Sequence, residues 1–131
     1  AKPLDVAFPR VGELVGYTLN EPPFSRDNLP QITLVWRASE PAPVSYTATV
    51  QLINAAGMVI AQSDAAPGDR PTTGWRAGEY IVDAHTLMFN ETASPGEATL
   101  IVALYDPATG VRVTLGDGTD AAVLATGIQI N

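Results

Sequence analysis

The chain has no cysteine, a single histidine and only two methionines. Without thiols it has no disulfides, no thiolate nucleophile and no zinc site built on sulfur ligands. That says nothing about compartment, since a chain without cysteine suits oxidising and reducing surroundings alike. Positive charge is also sparse: seven Lys and Arg stand against fourteen Asp and Glu, a formal charge of −7. A surface of that sign repels phosphate backbones and anionic headgroups. Arg10, Arg26, Arg37, Arg70, Arg76 and Arg112 are scattered and form no basic run. Nucleic acid is therefore not an expected partner. No apolar run approaches the ~20 residues of a transmembrane helix, and no signal-peptide pattern opens the chain. The blunt start at Ala1-Lys2-Pro3-Leu4 reads as a segment from the interior of a longer protein. Eleven prolines and eleven glycines would interrupt helices of any length.

What is present suits one globular unit. The 131 residues are 46% apolar and 16% charged, enough to build a core, and are read as a single domain spanning 1–131. The hydrophobic period is that of strands. Tyr46, Ala48, Val50 and Leu52 alternate with Thr47, Thr49 and Gln51, as in a strand with one face buried. Ile32, Leu34 and Trp36 alternate with Thr33, Val35 and Arg37, which places Trp36 in the core. Residues Ala98–Tyr105 are apolar on both faces and predict a central strand. Further strands are expected over Leu14–Leu19, Met58–Asp64, Tyr80–Phe89, Val111–Leu115 and Ala122–Ile130. Thr119–Thr126 also has some helical potential, but is short and could equally be a strand.

Turn chemistry separates these runs. Asn54-Ala55-Ala56-Gly57 and Asp106-Pro107-Ala108-Thr109-Gly110 place glycine where a short hairpin loop needs positive φ. Glu21–Pro30, Glu40–Pro43 and Ala65–Gly78 are longer Pro- and Gly-rich connections. About eight strands at this spacing predict an all-β, two-sheet antiparallel β-sandwich, jelly-roll or immunoglobulin-like.

Candidate chemistry is thin. Asp83 and His85 are two apart in a predicted strand, so their side chains share a face and an Asp–His pair is available. As a metal site or acid–base pair it needs a third group; otherwise it is a hydrogen-bonded pair at the sandwich rim. No Gly-x-Ser-x-Gly is present to carry a nucleophilic serine. A small hydrolase would need Asp64, Glu79, Asp83 and His85 to line one cleft. Gly116-Asp117-Gly118-Thr119-Asp120 resembles a fragment of a calcium loop, with Asp117 and Asp120 as ligands, but lacks the closing Glu. No other cofactor is expected. Trp75, in the loop after Arg70-Pro71-Thr72-Thr73-Gly74, has two readings. Exposed, it would stack on a sugar or anchor an interface; folded back, it would cap the core. On the exposed reading Trp75, Arg76, Tyr80, Asp83 and His85 form the candidate binding set, and a buried Trp75 would remove most of its basis.

Read in order, several segments resemble one bacterial family: Leu14–Leu19, Ile32–Ala38, Ser45-Tyr46, Gly57, Ala61-Gln62-Ser63-Asp64, Pro67, Pro71-Thr72, Trp75, Gly78-Glu79, Asp83-Ala84-His85, Pro95-Gly96 and Leu104–Arg112. Together they cover about residues 14–115 and are similar to the soluble β domain at the C-terminal end of multi-spanning bacterial membrane glycosyltransferase-like proteins. Those proteins are similar to dolichyl-phosphate-mannose protein mannosyltransferases. Where the family commonly has Val-His-Leu, this chain has Val50-Gln51-Leu52, so any role of that histidine is missing here. The resemblance implies a non-catalytic accessory domain, tethered on the extracytoplasmic face through the membrane portion of a parent protein, where glycosyl transfer would reside. Its partners would be a glycan, an acceptor protein or that membrane portion. The alternative is a purely structural or protein-interaction sandwich, which predicts exposed apolar area gathered on one sheet face.

Overall fold

The structure, a computed structural model, describes residues 2–131. Nine strands run in chain order: β1 (Lys2–Phe8), β2 (Gly12–Leu19), β3 (Gln31–Ala38), β4 (Thr47–Asn54), β5 (Val59–Ala65), β6 (Tyr80–Thr86), β7 (Met88–Phe89), β8 (Gly96–Tyr105) and β9 (Ala122–Ile130). They form two antiparallel sheets, ordered β1-β2-β3-β6 and β7-β5-β4-β8-β9. The all-β, two-sheet architecture expected from the alternation is what the chain adopts.

Inward-facing residues of both sheets build one core. Leu14, Ile32, Leu34 and Trp36 come from the four-stranded sheet, and Ala48, Val50, Leu52, Leu100, Val102 and Leu104 from the five-stranded one. At one end Phe8 meets Trp36 edge-on with ring centroids 5.1 Å apart. Trp36 in turn lies 6.3 Å from Trp75. The two short hairpin loops form as their residues dictate. Asn54 Oδ1 accepts the Ala56 and Met58 N–H groups, and Asp106 Oδ1 accepts that of Ala108. Gly57 and Gly110 supply the positive φ each turn requires.

Three departures from the sequence pattern have physical causes. The run Tyr80–Phe89 is two strands, not one: β6 pairs with β3 in one sheet and β7 with β5 in the other. Buried Leu87 marks the crossing, its N–H held by the Pro30 carbonyl. Val111–Leu115 forms no full strand, because β9 occupies the same edge of β8 from Gly96 to Val102. Only the end of β8 is left to it, giving one bridge, Tyr105 with Arg112. Of the two readings of Thr119–Thr126 the strand is the one that forms, β9 beginning within it at Ala122. Finally, β1 was not foreseen, since Lys2, Pro3 and Asp5 dilute its apolar alternation.

The faces of β4 hold a further surprise. Ala48, Val50 and Leu52 point into the core, yet Thr49 and Gln51 on the opposite face are also buried, at 2% and 9% exposed. The neighbour explains this. In β8, Ala103 and Ile101 lie opposite Thr49 and Gln51, and both are buried in turn. The middle of the outer face is covered by the side chains of the flanking strands.

Candidate functional site

The sequence pointed to Trp75, Arg76, Tyr80, Asp83 and His85, and the structure divides them. Trp75 is fully buried, so the exposed-aromatic reading gives way to the core-capping one. The cause lies in the preceding short 3-10 turn, Thr72–Gly74. Buried Thr72 donates its hydroxyl to the Val44 carbonyl at 2.6 Å and accepts the Tyr46 N–H at 3.0 Å. Its own carbonyl accepts the N–H groups of Ala42 and Trp75. Stitched to residues 42–46, the loop turns the Trp75 ring inward beside Trp36. Arg76 and Tyr80 stay at the surface, Tyr80 on the outer side of β6. Arg70, which ion-pairs with Glu79, is exposed there too, and such pairs contribute little in water.

Asp83 and His85 point the other way, between the sheets, and are 2% and 4% exposed. They are the centre of a hydrogen-bonded relay. One Asp83 oxygen, Oδ2, accepts Trp36 Nε1–H at 3.1 Å and His85 Nε2–H at 2.9 Å. The other, Oδ1, accepts the Gly68 N–H at 3.0 Å. With Nε2 turned to the carboxylate, the other ring nitrogen, Nδ1, hydrogen-bonds the Ser63 hydroxyl at 2.8 Å. Ser63 belongs to β5 and His85 to β6, so this bond joins the two sheets. The residue order of the relay is that of a nucleophilic triad, but its setting differs. Ser63 faces inward from the middle of a strand, and the buried carboxylate already accepts three donors from the protein itself. Such an Asp is held firmly and has little capacity left for a ligand.

Gly68 completes that cage. It lies in a second short 3-10 turn, Pro67–Asp69, with φ of 60°. A Cβ there would sit 2.7 Å from Ile81 Cγ2 and 2.9 Å from the Val82 carbonyl oxygen. Only a residue without a side chain lets this backbone press close enough to donate to Asp83.

Asp64 and Glu79, the other acids named with Asp83 and His85, do not join them. Asp64 faces outward on β5 and Glu79 pairs with Arg70. Asp117 and Asp120 do not face a common point either. The Asp117 carboxylate accepts both the hydroxyl and N–H of Thr119, bonds that hold it below the usual carboxylate range. Asp120 instead faces Arg112 at 3.6 Å. Among the described residues no three His, Cys, Asp or Glu side chains converge to hold a metal.

A second polar constellation, absent from the sequence expectations, lies on the outer face of the five-stranded sheet. Tyr105, on β8, donates its hydroxyl to Asp64 Oδ2 on β5 at 2.9 Å. Since β4 lies between those strands, the Tyr105 side chain spans it. Asp64 Oδ1 accepts the Thr49 hydroxyl at 2.7 Å, and Thr49 accepts from Gln51 Nε2 at 3.1 Å. Burial first, and then the hydrogen bond and negative charge of Asp64, hold the Tyr105 phenol above the usual tyrosine range. Beside this chain of bonds runs a row across all five strands: Met88, Gln62, Gln51, Ile101 and Val123. The signal for it was in the sequence. A strand apolar on both faces, at 98–105, covers whatever its neighbour presents beside it, so Thr49 and Gln51 had to be more than solvent-facing spacers.

A cleft of ≈ 550 Å³ lies where the end of β2 faces β9, and is lined by Tyr17, Asn20, Glu21, Ala125 and Thr126 among others. Tyr17 already donates its hydroxyl to the Leu124 carbonyl across it. Comparison with known proteins finds no matching family model, no matching curated protein and no matching solved structure.

Proposed function

We propose that this chain is a non-catalytic accessory module that works on the extracytoplasmic face of a membrane glycosyltransferase-like parent. The observation that carries the non-catalytic part is the buried relay. The one histidine and its aspartate, the residues best suited to acid–base work, are occupied in joining the two sheets. The tethered, extracytoplasmic part rests on the resemblance of residues 14–115 to the C-terminal β domain of such proteins. In this reading glycosyl transfer belongs to the membrane portion, and the sandwich braces it or receives the glycan or acceptor protein.

Two outcomes test it. Sequencing the open reading frame upstream of this segment is expected to find successive apolar spans of ~20 residues. A parent with none would overturn the tethered reading. Labelling of Ser63 by a fluorophosphonate probe, lost on His85→Ala, would overturn the non-catalytic one.

The apolar surface does not favour the protein-interaction alternative in its simple form. Exposed Tyr80 and Val82 lie on the four-stranded sheet, while Met88 and Val123 lie on the five-stranded one, so no single face collects them.

A further inference from the structure

We draw no further inference here: the strongest candidate, the cleft of ≈ 550 Å³ between the end of β2 and β9, carries nothing, because nothing in the structure shows what covers it.

Discussion

Replacing Asp83 by alanine removes one carboxylate and orphans three donors at once. Trp36 Nε1–H, His85 Nε2–H and the Gly68 N–H all end on it, and the residue is 2% exposed. Each buried donor left without a partner costs about 1–3 kcal/mol, which brackets the loss between about 3 and 9 kcal/mol. Local relaxation and entry of a water lower the figure. Removing one member of a buried polar pair elsewhere costs about 3–5 kcal/mol, so about 4 kcal/mol is expected here. For a domain of this size that lowers Tm by roughly 15 °C, and takes a large share of a typical total stability of about 5–15 kcal/mol. Asp83→Asn keeps the shape and one oxygen but turns an N–H₂ toward at least one of the three donors, and should lie between wild type and alanine. Tyr80→Ala is the control, because Tyr80 starts the same strand but is 63% exposed; it should shift stability by no more than about 0.5 kcal/mol. Urea unfolding of all three, followed by tryptophan fluorescence, measures these differences. An Asp83→Ala protein within about 1 kcal/mol of wild type would refute the claim that three buried donors depend on this carboxylate.

Two further substitutions probe neighbouring features. Gly68→Ala combines a positive φ with contacts of 2.7 and 2.9 Å to Ile81 and Val82, and should cost more than about 1 kcal/mol by denaturant titration; a neutral result would mean that the turn moves freely away from Asp83. Tyr105→Phe tests the raised phenol. A group whose folded-state pKa is raised contributes stability that is present below its unfolded value, near pH 10, and lost as pH climbs through the folded value. The phenylalanine variant should therefore lose less stability on going above about pH 10 than wild type does. Identical alkaline slopes would show that Asp64 and burial do not act on this phenol.

The fold was legible where residues speak locally. Alternation at 32–37 and 46–52, turns at Asn54–Gly57 and Asp106–Gly110, and the doubly apolar run at 98–105 all carried through to paired strands. It was less legible where neighbours decide. Nothing in Tyr80–Phe89 announces that the chain changes sheets at Leu87, because a crossing is set by what lies opposite. Val111–Leu115 has strand composition, but β9 takes most of the edge it would need. The same limit governs the site. The spacing of Asp83 and His85 revealed their common face, whereas Ser63 and Trp36 lie 22 and 47 residues away from their partners in sequence. Trp75 was ambiguous because Pro- and Gly-rich loops expose aromatics as readily as they bury them. What settled it was Thr72, whose bonds to Val44 and Tyr46 depend on a distant loop.

The passage of one continuous segment from β6 to β7 also bears on cooperativity. The two sheets are joined by one short stretch of chain through Leu87 as well as by a core, and the Ser63–His85 bond lies close to that crossing. Neither sheet can then peel away alone without dragging the end of the other with it. Slow-exchanging amides of β5 and β6 should open together in one event of near-global free energy, so that the sandwich behaves as a single unit of unfolding and not as two stacked layers.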